Sequence, residues 1–166
     1  MISRHSGYVH VSELQYYLHD ADQSPYPPYG EDTGLATLGR GGGITISCGT
    51  NTGNIHCTVE LYDDEPPLSM AEWDEIVDVD YRTEVGDTRL HTFGGRPAEG
   101  FPVLSHTGPG DYRIRFRARN RDDPANKNPY TSVEEHHISV WPGSVGHLLV
   151  HKATDEFGER MRGSSG

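Results

Sequence analysis

From Tyr112 to Arg119 the chain alternates without a break. Tyr112, Ile114, Phe116 and Ala118 are apolar or aromatic, and Arg113, Arg115, Arg117 and Arg119 lie between them. A period of two marks a β-strand with one face in a core; a helix would repeat its apolar set every three to four residues. Gly108-Pro109-Gly110-Asp111 supplies a turn that launches this strand. The same period runs through Ile76–Thr83, where Val77, Val79 and Tyr81 alternate with Asp78, Asp80 and Arg82. A strand of this kind leaves one apolar face that only a second layer can cover.

Further segments follow that rule. Ile44, Ile46 and Cys48 alternate with Thr45 and Ser47, and Ile55, Cys57, Val59 and Leu61 alternate with His56, Thr58 and Glu60. The intervening Asn51-Thr52-Gly53-Asn54 predicts a hairpin of even register, pairing Cys48 with Cys57, Ile46 with Val59 and Ile44 with Leu61. Tyr8–Asp20 slips by one residue near Ser12 and Glu13, which predicts a bulged strand. Asp20–Thr33 holds Pro25, Pro27 and Pro28 and must be a loop. Ser69 with Glu72 resembles a capping box for one helical turn, with Trp73 plugging the core beneath it. Short strands are expected at Arg89–Phe93, Phe101–Leu104 and Ser132–Trp141, the last with Ile138 and Val140 in the core. The predicted fold is all-β: a two-sheet antiparallel β-sandwich over residues 1–142. Residues 143–166 form a tail, an extended piece and a short helix, and not an independent domain. The closing Gly163-Ser164-Ser165-Gly166 is set aside from the fold.

Composition limits the function. The 166 residues fit one domain, and the low apolar fraction of 33% with 20 Gly and 11 Pro suits many strands joined by turns. A net charge of −11 repels phosphate backbones, so direct nucleic-acid binding is not expected, while a basic protein would be attracted. No segment approaches the ~20 apolar residues of a membrane span. Met1–Tyr8 lacks the apolar stretch of a secretory signal, so a cytoplasmic location is expected.

Motifs for catalysis are missing. There is no Gly-x-Ser-x-Gly elbow and no phosphate loop, and Gly41-Gly42-Gly43 precedes a strand rather than a helix. No cofactor is expected. Cys48 and Cys57 read as two reduced, buried thiols. Glu134-Glu135-His136-His137 is the densest histidine cluster, but neighbours on a strand face opposite ways. His56, His91 and His137 are weak metal candidates at most, since zinc sets show tighter spacing. The arginine row, Arg113, Arg115, Arg117 and Arg119, has two readings. It either pairs with Asp78, Asp80, Glu134 and Glu135 on neighbouring strands, or contacts an acidic or anionic partner.

The order of segments resembles the competence protein J family. The resemblance rests on Val11-Ser12-Glu13-Leu14-Gln15-Tyr16-Tyr17, the Gly-containing stretch before Ile44, the segment to Leu61, and Gly108-Pro109-Gly110-Asp111-Tyr112-Arg113. Glu65-Pro66-Pro67-Leu68, Trp73-Asp74 and Trp141-Pro142 are similar to segments of actinobacterial proteins of unassigned role. Members of the competence family inhibit a DNA-entry nuclease. The resemblance therefore implies a non-enzymatic protein-binding module of inhibitor or immunity type, with the acidic residues Asp63, Asp64 and Glu65 as partner-binding candidates beside the arginine row. The extension after Pro142 departs from the shorter family pattern, and no functional position carries over. A phage or particle assembly subunit and a metal-dependent enzyme are the alternatives.

Overall fold

The structure, a computed structural model, describes residues 1–29 and 31–164. Two sheets pack face to face. The larger has six strands in the order β1 (Ser3–Val11), β5 (Gly53–Leu61), β9 (Glu135–Pro142), β8 (Gly110–Arg119), β6 (Glu75–Thr83) and β10 (Leu149–Ala153). The smaller has four: β3 (Ala36–Leu38), β4 (Ile44–Ser47), β2 (Gln15–His19) and β7 (Arg89–His91). Each pairing between these strands is antiparallel except that of β5 with β9. The all-β sandwich holds, with one parallel pair inside it.

Alternation places the core. Val77, Val79 and Tyr81 of β6, Ile114, Phe116 and Ala118 of β8, Ile138 and Val140 of β9, and Ile55, Cys57 and Val59 of β5 face Tyr16, Leu18, Ile44 and Ile46 across the interior. Each fully buried aliphatic side chain contributes roughly 1.5–3 kcal/mol.

The expected hairpin between residues 44 and 61 does not form. β4 pairs with β2 and β3, whereas β5 pairs with β1 and β9. The chain crosses from one sheet to the other between them. Two strands with one apolar face each bury those faces equally well side by side or stacked, so alternation does not separate the two cases. Tyr8–Asp20 likewise is not one bulged strand. Ser12–Gln15 forms a turn with Glu13 and Leu14 at φ 55° and 65°, and it passes the chain from β1 in one sheet to β2 in the other.

Three smaller expectations also fail. Ser69–Glu72 forms no helical turn, and Glu72 adopts φ 72°. Phe101–Leu104 is not a strand, although Leu104 is buried and its N–H donates to Thr88 O at 2.8 Å. Trp73 is half-buried outside the core. The tail does form an extended piece and a helix, α1 (Glu156–Ser164), with β10 joining the edge of the six-stranded sheet. Gly163 and Ser164 end that helix, and residues 165–166 lie outside the described residues.

Candidate functional site

β5 and β6 follow each other in sequence but are separated in the sheet by β9 and β8. The connection between them, residues 62–74, must therefore cross the outer face of the large sheet. The arginine row lies under that crossing. Arg113, Arg115 and Arg117 are only 2%, 2% and 7% exposed.

Each arginine is engaged. Arg113 meets Asp80 at 2.9 Å and donates to His147 O, at the start of the tail. Arg115 binds Asp78 through two hydrogen bonds and donates to Pro66 O at 3.2 Å, while Glu65 lies 4.0 Å away. Arg119 meets Glu135 at 2.7 Å and stacks on Trp73, with 4.7 Å from guanidinium carbon to ring centroid. Arg117 differs. It donates to His137 Nδ1 at 2.9 Å and Ser139 Oγ at 3.2 Å, and its Nε–H is buried without an acceptor.

The cross-strand reading of the row thus applies to Asp78, Asp80 and Glu135. The three buried arginines do not form a free surface for a partner. Glu134 does not join them: it shares parity with His136 and points inward, accepting from Thr50 N and Oγ1 at 2.8 and 2.9 Å.

What the platform holds up is the connection. Its backbone is pinned at Pro66 O by Arg115, at Glu72 O by Arg119 and at Met70 O by the Lys152 ammonium. Asp63, Asp64 and Glu65 remain exposed along it, and so do Leu68 and Met70 at 43% and 42%. Acidic side chains interspersed with two apolar ones, on a backbone fixed from below, make a pre-organised contact element. Pre-organisation lowers the entropic cost of binding. Sequence reasoning found the acidic residues but missed Leu68 and Met70, because exposure of an apolar residue in a loop has no periodic signal.

A polar group lies beside the connection. Glu60, Tyr62, Arg117 and His137 are linked by hydrogen bonds, with Trp73 edge-on to the His137 ring at 5.7 Å. Burial, and then the neighbouring Arg117, lower His137 to about 4 against the opposing pull of Glu60. His137 is therefore a neutral ring that accepts from Arg117 at Nδ1 and donates to Glu60 from Nε2. Burial would raise Glu60, but hydrogen bonds from Tyr62 and His137 keep it below its ordinary value.

The three histidine candidates are not brought together. His137 lies in this group, and His56 packs edge-on to Tyr8 at 5.6 Å. His91 belongs to the other sheet, where it stacks on His19 at 3.8 Å. Cys48 and Cys57 are both buried free thiols.

No family model and no curated protein matches the chain. Among solved structures, ComJ from Bacillus subtilis, an inhibitor of the DNA degrading activity of NucA, superposes with a TM-score of 0.58. The chain has the fold of ComJ. The match spans 86% of this chain and 99% of ComJ at 16% identity. The product of crocagin biosynthetic gene J also shares the fold, with a TM-score of 0.51, 15% identity, and coverage of 86% of this chain and 98% of that one. Among the described residues no helix is long and apolar enough to cross a membrane.

Proposed function

We propose that this chain is a protein-binding module that inhibits a nuclease or a similarly basic partner, and that it acts by occupying the partner rather than by catalysis. The observation that carries this reading is the connection over residues 62–74, acidic and apolar at its surface and fixed from beneath by Arg115, Arg119 and Lys152. The net charge of −11 supports it, because an acidic surface steers towards the cationic groove with which a nuclease holds DNA. The likeness to ComJ, an inhibitor of the DNA degrading activity of NucA, supports the same class of partner. The reading includes a cytoplasmic setting and no direct contact with nucleic acid or membrane.

The test is capture of partners at low and high salt, followed by a DNA-degradation assay with the purified partner. A basic nuclease retained at low salt, and silenced by an equimolar amount of this protein, is the expected result. A captured nuclease whose activity is unchanged by excess protein would overturn the inhibitor reading.

A further inference from the structure

Cys48, Glu134 and His136 converge in the interior. Cys48 follows the last residue of β4, Glu134 precedes β9, and His136 is the second residue of that strand. One ligating atom from each (thiol sulfur, carboxylate oxygen, imidazole nitrogen) lies within 4.8 Å of the other two, and all three residues are buried. His136 Nε2 is 2.5 Å from Glu134 Oε2, and the Cys48 thiol donates to Ile46 O at 3.9 Å. Tyr16 Oη lies 2.9 Å from His136 Nδ1. Two protons, one on sulfur and one on Nε2, thus lie among the three donor atoms.

We propose that Cys48, Glu134 and His136 form a binding site for a divalent cation of the zinc class, in which one ion takes the place of both protons. The charges balance. A dication with one thiolate and one carboxylate is neutral, so it avoids the large cost of an uncompensated charge in the interior. The protons balance as well. Cys48 releases one to solvent, and His136 shifts to its other tautomer: Nε2 loses its proton, Nδ1 carries one instead, and the Nδ1–H donates a hydrogen bond to Tyr16 Oη. A polar group fixing the far nitrogen is the usual support of a metal-bound imidazole.

The donor set decides the ion. Thiolate with imidazole selects zinc over magnesium or calcium, which prefer oxygen alone. Zinc bonds of about 2.0–2.3 Å place ligand atoms roughly 3.3–3.6 Å apart, so Glu134 and His136 must separate by about 1 Å, which rotation of the carboxylate provides. Three protein ligands leave a fourth position for water. A surface depression of about 380 Å³, lined by Tyr8, His56, Asn120, Ser132, Glu134 and Glu135, borders Glu134, whose side chain is itself buried. Because Cys48 and Tyr16 belong to the small sheet's side and His136 to the large one, an ion here would tie the two sheets together.

The purified protein, stripped with chelator and then titrated with zinc and separately with cobalt, tests the proposal. The expected result is one equivalent of zinc per chain and, with cobalt, a near-ultraviolet thiolate-to-cobalt charge-transfer band. Cys48→Ser should lose that band and weaken zinc binding by roughly a hundredfold or more, since even supporting residues of a metal site cost 10–100-fold. Cys57→Ser, which changes a buried thiol outside the ligand set, should keep the band. Folded wild-type protein that takes up less than one equivalent, or shows no thiolate band, would overturn the proposal whatever the variants do. A band that persists in Cys48→Ser would overturn it too.

Discussion

Arg115 holds Asp78 in a bidentate grip, Nε to Oδ1 at 2.8 Å and NH2 to Oδ2 at 3.0 Å, with both side chains 2% exposed. The same carboxylate accepts from His151 of β10 at 2.9 Å, and the same guanidinium holds Pro66 O of the crossing connection. One ion pair therefore joins β8, β6, β10 and the connection. Burial would raise the Asp78 carboxyl, but the hydrogen bonds from Arg115 and His151 hold it below its ordinary value. Arg115→Leu strands a buried carboxylate and should cost about 3–5 kcal/mol in urea unfolding. The double variant with Asp78→Leu should recover part of that loss. A single-variant loss below about 1 kcal/mol would show that the pair does not carry the connection.

The connection itself should be separable from stability. Asp63→Asn, Asp64→Asn and Glu65→Gln together should leave unfolding within about 0.5 kcal/mol of wild type. They should slow association with a basic partner by about tenfold or more at low salt, with the difference shrinking as salt is raised. Leu68→Ser with Met70→Ser should act instead on the dissociation rate, since apolar contacts form after encounter. Stopped-flow or surface-plasmon kinetics on the variants would distinguish the two effects, and unchanged rates in both would remove the connection from the interface.

His137 gives a pH dependence with a definite sign. Its folded value of about 4 lies below the ~6.5 of an unfolded histidine, so the unfolded chain binds the extra proton first. Stability is then complete above about pH 6.5 and falls as pH drops towards 4, by up to about 3 kcal/mol from this group alone. His137→Gln should flatten much of that fall, and the ring protons of His137 should show no titration by NMR above pH 5. Titration near 6.5 would mean that the ring is solvated.

Gly49 sits where the chain crosses between the sheets. A Cβ there would fall 1.9 Å from Arg121 O, a backbone atom with no freedom to move aside. Gly49→Ala should cost about 1–3 kcal/mol or more. Gly94→Ala, with nothing within 4 Å of its added carbon, should remain within about 0.5 kcal/mol in the same thermal or urea measurement.

How much of this was legible differs from element to element. Strands β6 and β8 were readable because period-two alternation reports a local property, the parity of side chains about one strand. The pairing of Arg113 and Arg115 with Asp80 and Asp78 was readable as an option for the same reason: both rows lie on outward parity. Trp73 was misplaced, because a lone aromatic residue in a loop carries no periodic information. Its position under Arg119 and beside His137 depends on where the connection runs. Arg121 went unnoticed, although it is buried and joins Asp155 by two hydrogen bonds, because it follows the alternating row after a break at Asn120.

Alternation and composition alone establish a strand-built chain with alternating faces, two cysteines, a net acidic charge and a row of arginines on one side of one strand. Contacts between distant segments place Ile44–Ser47 and Gly53–Leu61 in different sheets, lay residues 62–74 across Arg115 and Arg119, and bring Cys48 to Glu134 and His136. The physical reason is common to all three. Parity fixes which face a side chain takes on its own strand, but the choice of neighbouring strand is made by contacts far apart in sequence, and several choices bury the same apolar faces.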